Sequence, residues 1–262
     1  MMAANIDETV KVDREALFQL ALRLGDTSLI LGHRLSEWAG HAPILDEDIA
    51  LSNLGLDLIG QARSFLTYAG EVEGRGRDED TLAYLRNAPE YRNLLMVELP
   101  RGDFAFTMMR QFLFSAFQLP LYQKLMQSRD KTLAAISAKA EKEMAYHLRH
   151  SSQWVVRLGD GTEESHQRVQ NALNTLWTYT GEMFETDASL KALIEAGVYC
   201  DPASIRDIWN KTINDVLEQA TLTRPETGWM QSGSLSGRHS EHLSHLLAEM
   251  QSVQRAYPGL KW

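Results

Sequence analysis

The chain has 262 residues, 44% of them hydrophobic and 23% charged, enough for one large domain or two small ones around a substantial core. Its 26 Lys and Arg against 35 Asp and Glu leave a net charge of −9, which argues against nucleic acid or an anionic membrane as partner, since both select basic surfaces. A single cysteine, Cys200, excludes a disulfide framework and a thiolate metal cluster within the chain.

Residues 1–14 are polar and partly acidic, unlike a secretory signal. The most apolar run, residues 112–122, is interrupted by Gln118 and Pro120 and is too short to span a bilayer, so a bacterial-style cytoplasmic protein is expected. Strand signals are almost absent, and apolar residues recur at spacings of three and four. Asp13 is placed to cap a first helix whose stripe is Leu17, Leu20, Leu24, Ser28, Leu31, Leu35 and Trp38. Gly25 and Gly32 interrupt it at about 1 kcal/mol each relative to alanine, which points to close approach of another helix. Gly40-His41-Ala42-Pro43 ends it.

A second helix runs from near Asp46 to about Glu71, with the stripe Leu51, Leu54, Leu58, Gln61, Phe65 and Tyr68. After a glycine-rich loop at 74–80 comes a short helix at 81–87. The third long helix, from 104 to about 127, is apolar nearly all round and is expected to be the most buried. A tight turn at 128–130 leads to a fourth helix striped by Leu133, Ile136, Ala140, Met144, His147, Ser151, Trp154 and Leu158. Further helices are predicted at 165–184, 190–196, 202–222 (capped by Asp201) and 240–256, with the longest loop at 224–237. Four long helices in two pairs, with a crossover between the pairs, predict an all-α fold. It is a ferritin-like four-helix bundle with additional C-terminal helices. One domain spans 1–262, its core bundle at about 13–158 and a helical extension at about 160–262.

A bundle of this kind holds two irons when two helices each give a carboxylate and the other two each give Glu-x-x-His. Residues equidistant from the turns lie level. Counted from Pro43 and Arg129, Leu58 and Gln61 fall near residues 25–28, and Met144 and His147 near 111–115. The residues at that depth are Ser28, Leu58, Gln61, Ser115, Met144 and His147, of which only His147 is a good iron ligand. Met144 stands three before His147 where the glutamate belongs; Glu143 is one residue early, about 100° round the helix. From Phe104 to Arg129 there is no Asp or Glu at all. No metal, cofactor-binding or catalytic residue is therefore assigned in this chain, and the six positions are read as a degenerate di-iron pocket.

Residues 31–63 carry a resemblance, reading Leu-Gly-His-Arg-Leu-Ser-Glu-Trp-Ala-Gly-His-Ala-Pro and later Asn-Leu-Gly-Leu-Asp-Leu-Ile-Gly-Gln-Ala-Arg. So do Ile136-Ser137-Ala138-Lys139-Ala140, Tyr146-His147-Leu148-Arg149, and a tail running from Glu241-His242-Leu243 to Pro258-Gly259 and Trp262. With these motifs, over essentially the whole chain after about residue 14, the sequence resembles the C-subunit family of bacterial phenylacetyl-CoA epoxidases. The resemblance implies a ferritin-like, non-catalytic structural subunit paired with a homologous, iron-bearing A subunit. In that catalytic paralogue the second-helix motif is Asp-Glu-x-Gly-His. Here Asp57-Leu58-Ile59-Gly60-Gln61 has Leu for Glu and Gln for His, Met144 replaces the fourth-helix glutamate, and Ser28 and Ser115 stand where helices one and three carry carboxylates. The implied complex epoxidises the ring of phenylacetyl-CoA with O₂ and NADPH. Its di-iron centre is in the A subunit, and FAD and iron–sulfur are in a separate reductase. A homodimer is possible when the chain is alone. The alternative is an autonomous di-iron oxidase or ferroxidase.

The remaining candidates have plainer readings. His147 is expected to be a core histidine bonded to Gln61 or a serine, because a buried imidazole needs partners. Glu37 and Asp57 are read as salt-bridge or capping residues rather than ligands. His239, His242 and His245 with Glu241 could present a zinc face, but a surface or interface cluster is the better reading. Cys200, before a helix start that could lower its pKa, is read as a structural thiol. The aromatics Phe104, Phe106, Phe112, Phe114 and Phe117 wrap helix three more fully than one core requires. Part of that surface, or of the first two helices, is expected to face the partner. No phosphate-binding glycine loop and no Gly-x-Ser-x-Gly elbow is present.

Overall fold

The computed structural model describes residues 12–260; the first eleven residues, Lys261 and Trp262, the last of which closes the tail motif, lie outside the described residues. Among the described residues the chain is helical without strands. Helix α1 (Arg14–Ser36) begins at Asp13, whose carboxylate accepts the Glu15 backbone N–H at 2.9 Å and so satisfies an orphan donor of the first turn. Helix α2 (Leu45–Glu73) returns beside it and stops where Gly74 takes φ +70°. The glycines of α1 are contact points between the two. A Cβ at Gly32 would meet the Gly55 carbonyl oxygen at 3.2 Å and Leu58 Cβ at 3.3 Å, and one at Gly25 would meet Leu66 at 2.9 Å.

The crossover carries two short helices, α3 (Glu79–Tyr84) and α4 (Leu95–Glu98), the second too short to leave a periodic signal. It is pinned to α1 by a buried ion pair. Arg86 Nη1 donates to Asp26 Oδ2 at 3.0 Å, and Asp26 also accepts the Arg92 backbone N–H at 2.9 Å. Helices α5 (Phe104–Leu125) and α6 (Lys131–Gly159) form the second pair. Asp130 caps α6 by accepting from the Thr132 and Leu133 N–H groups at 3.0 and 2.9 Å, and it takes the Tyr68 hydroxyl of α2 as well. Burial, with that carboxylate beside it, holds the Tyr68 hydroxyl protonated far above its ordinary range. The two pairs with their crossover are a ferritin-like bundle.

The extension comprises α7 (Glu163–Trp177), α8 (Ala188–Glu195), α9 (Arg206–Gln219), α10 (Glu241–Met250) and α11 (Ser252–Ala256). It corrects three expected spans. The helix expected at 165–184 stops at Trp177, whose carbonyl accepts the Thr180 hydroxyl at 2.7 Å, and a 3₁₀ turn (Gly181–Phe184) follows. The helix expected at 202–222 opens as a 3₁₀ turn, Pro202–Ile205, under Asp201. The one expected at 240–256 divides at Gln251, whose side-chain amide is drawn down onto the Arg86 carbonyl at 2.9 Å.

The extension also settles where the aromatics of α5 go. The Trp209 indole N–H donates to the Leu113 carbonyl at 3.2 Å, and Phe117 meets Phe184 edge-on at 5.2 Å. Phe112, Phe114 and Phe117 are buried; Phe104, half-buried, lies edge-on to both Trp38 and Trp154. Part of the aromatic face of α5 therefore packs under the C-terminal helices, in one core continuous with that of the bundle.

Candidate functional site

The six positions lie in the bundle interior. Ser28, Leu58, Ser115, Met144 and His147 are wholly buried, and Gln61 nearly so. Two hydrogen-bonded chains cross this interior. In the first, Gln111 Nε2 sits 3.2 Å from both Ser115 Oγ and His147 Nδ1, and His147 Nε2 is 3.1 Å from Asp57 Oδ2. With the amide donating to Nδ1, the ring is the Nε2–H tautomer and donates to Asp57. In the second, the Tyr122 hydroxyl donates to Gln61 Oε1 at 3.1 Å and Gln61 Nε2 donates to Glu143 Oε2 at 2.9 Å. Burial pushes the Tyr122 hydroxyl well above its usual pKa; hydrogen bonding partly offsets this, and the nearby Glu143 carboxylate adds to it. The Ser28 hydroxyl makes no hydrogen bond of standard geometry, yet it lies close enough to Tyr122 to contribute to that offset.

His147 is thus satisfied by Asp57 and Gln111, not by Gln61 or a serine. Asp57 and Glu143 sit off the central face by angle, yet both reach the seam between α2 and α6. The signal for them is in the spacing: Asp57 and Gln61 are i, i+4, as are Glu143 and His147, so each carboxylate shares a face with a central residue. A second histidine–carboxylate pair, His150 Nε2 to Glu47 Oε2 at 3.0 Å, closes the same seam nearer the first turn. The depth of Ser28 also shifts. Leu58 packs level with Gly32, one helical turn along α1 from the expected 25–28.

This donor set does not fit a di-iron centre. Two of the six side chains are hydrocarbon or thioether and two are hydroxyls. Both nitrogens of the one histidine are already engaged. Among the described residues no group of three or more His, Cys, Asp and Glu is arranged to hold a metal ion. The C-terminal histidines are not gathered either: His239 donates to the Tyr91 carbonyl at 3.0 Å and faces Glu98, whereas His245 is exposed. Glu37 pairs with Arg34 at 2.6 Å. Burial pushes the Cys200 thiol up to about 11, so the helix start does not activate it.

The model of a family described as phenylacetic acid catabolic protein matches residues 1–262. The chain belongs to this family. It is 50% identical over 241 residues to the C subunit of the 1,2-phenylacetyl-CoA epoxidase of Escherichia coli (strain K12), covering 92% of this chain and 97% of that protein. Among the described residues no helix is long and apolar enough to cross a membrane.

Proposed function

We propose that this chain is the structural, non-catalytic subunit of a multicomponent di-iron monooxygenase that epoxidises the ring of phenylacetyl-CoA. It pairs with and supports a homologous catalytic A subunit. The observation that carries the reading is the bundle interior: Leu58 and Met144 fill it, and the only histidine among the six positions is engaged through both nitrogens. The 50% identity to an epoxidase C subunit supplies the context. In this reading the six positions are a degenerate di-iron pocket and the whole chain is one domain. Iron resides in the A subunit, with FAD and iron–sulfur in the reductase, and the complex works in the cytoplasm.

A protein of this kind needs a face for its partner. Ile44, Leu45, Ile49 and Leu56 stand exposed on and just before α2, Leu45 at 74% and Leu56 at 65%. Exposed Tyr146 of α6 stacks on His150, which bonds α2 through Glu47. This strip on the first two helices and the α6 seam replaces the α5 aromatics as the expected contact. The test is turnover of phenylacetyl-CoA by the A subunit with and without this chain, together with metal analysis of the chain alone. Loss of turnover without the chain, and no bound iron in it, is the expected result. Near-stoichiometric iron with the spectrum of a coupled pair would overturn the reading in favour of an autonomous di-iron oxidase. Unimpaired turnover without the chain would overturn it as well.

A further inference from the structure

A cleft of about 300 Å³ lies between the first turns of α1, the crossover and the start of α8, away from the bundle interior. Its lining includes two arginines, Arg23 and Arg92, and Ser189. Arg23 is only 7% exposed, so its charge has been taken almost wholly out of water. Such a charge is ordinarily paired. Here its partners are neutral: Nη1 donates to Ser234 Oγ and Nη2 to the Glu182 carbonyl, each at 3.2 Å. Arg92 is half-buried and is likewise held by neutral acceptors. Its Nε donates to Gln19 Oε1 at 2.8 Å and its Nη1 to the carbonyls of Pro89 and Tyr91 at 2.8 and 2.7 Å. No carboxylate forms an ion pair with either side chain among the described residues, and Arg92 Nη2 has no acceptor there.

Two carboxylates also line the cleft, and both are engaged. Asp187 caps α8 by accepting the Leu190 N–H at 2.8 Å, and Glu15 accepts the Gln19 side-chain amide at 2.7 Å in an exposed position. The first N–H groups of α8 lack intrahelical acceptors and add positive potential at the Ser189 wall. Two fixed guanidinium forks, one with an open Nη2, beside a hydroxyl match the oxygens of a phosphate better than any neutral ligand. The volume is at the small end for ligand sites, room for a phosphoryl group and its first substituents rather than a whole cofactor.

We propose that the cleft bounded by Arg23, Arg92 and Ser189 is an oxyanion site that takes a phosphate group, either free or at the end of an organic molecule. It is independent of the degenerate pocket. Burial depresses the Arg92 pKa, the nearby carboxylates of Asp26, Glu15 and Glu90 oppose this in part, and a bound phosphate would oppose it further.

The full chain is titrated calorimetrically, in phosphate-free buffer at constant ionic strength, with sodium phosphate and with adenosine 3′,5′-bisphosphate, the phosphate-bearing end of coenzyme A. Saturable one-to-one binding of either probe is expected. The tighter probe identifies the source as free or organic phosphate. Arg92→Gln should weaken it at least about tenfold, the loss of one charge-assisted pair. Ser189→Ala should weaken it by a smaller factor. Glu15→Gln, which removes a like charge, should strengthen it, a gain that damage to the fold would not produce. If neither probe saturates the wild-type chain by about 10 mM, or if Arg92→Gln binds as wild type, the proposal fails.

Discussion

Replacing Met144 by glutamate restores the Glu-x-x-His spacing on α6 and asks whether the interior is a metal site short of one ligand or a packed core. The structure answers for the core. Position 144 is wholly buried, and the nearest donors are engaged: His147 on Gln111 and Asp57 at 3.2 and 3.1 Å, the Gln61 amide on Glu143 at 2.9 Å. A carboxyl there is desolvated without compensation, which raises its folded pKa from about 4.3 to roughly 7. A raised carboxyl pKa means that the penalty is absent below the unfolded pKa, grows as pH rises, and levels off above the folded pKa. At 1.36 kcal/mol per unit, Met144→Glu should cost about 3.5 kcal/mol at pH 7.5 and about half that at pH 5.5. Urea unfolding at the two pH values, with and without Fe(II), measures it. Equal stability of variant and wild type at pH 7.5, or restoration of the lost stability by stoichiometric iron, would refute the reasoning.

Three further outcomes are expected. Asp26→Asn strands the Arg86 guanidinium, 2% exposed, and should cost about 3–5 kcal/mol of unfolding free energy by denaturant titration. Leu56→Asp, at an exposed position of α2, should leave the melting curve within about 0.5 kcal/mol of wild type while preventing co-purification with an A subunit. Cys200, with its thiol pushed from 9.0 up to about 11, should react with iodoacetamide at pH 8 roughly a hundredfold more slowly in the native chain than in urea, as thiolate fraction dictates. Equal labelling rates would remove burial as the cause.

The two helix pairs were legible because their signals are local. Asp13, Asp103 and Asp130 each cap the helix they precede, and apolar residues recur at helical spacing through each run that follows. Gly25 and Gly32 were equally plain as sites of close approach. What failed was depth and reach. Counting levels from Pro43 treats the chain as reversing there. Instead residues 38–41 continue in tight turns off the end of α1 (Trp38 N–H to Leu35 O at 3.0 Å, His41 N–H to Trp38 O at 2.8 Å), which moves the pairing by a turn. The fate of the α5 aromatics depended on Trp209 and Phe184, some ninety and seventy residues on. The Arg23–Arg92 cleft draws its walls from separate segments of the chain, and no local pattern announces it.

The interior explains how a ferritin-like bundle holds together without a ligand set for metal. Two irons in such a bundle cross-link four helices through charged ligands whose desolvation the metal offsets. Where the metal has no ligands, those carboxylates would be unpaired buried charges costing several kcal/mol each, and replacing them with apolar side chains of similar volume is commonly neutral or stabilising. Leu58 and Met144 fit that exchange. Most of the polar residues that stay do so in hydrogen-bonded chains, Asp57–His147–Gln111–Ser115 and Glu143–Gln61–Tyr122, each reaching a carboxylate at the α2–α6 seam. Such chains tie α2, α5 and α6 at fixed depths, which hydrocarbon packing alone does not. In the proposed function, a bundle so held would present its exposed α2 strip in one geometry, and a partner binding a preorganised face loses less ordering entropy than one binding a loose face. On this argument His147→Leu, which cuts the first chain while preserving apolar volume, should weaken assembly with the A subunit more than it lowers the stability of the chain alone. Parallel pull-down and melting measurements separate the two, and an equal loss in both would show that the chain of bonds serves the fold only.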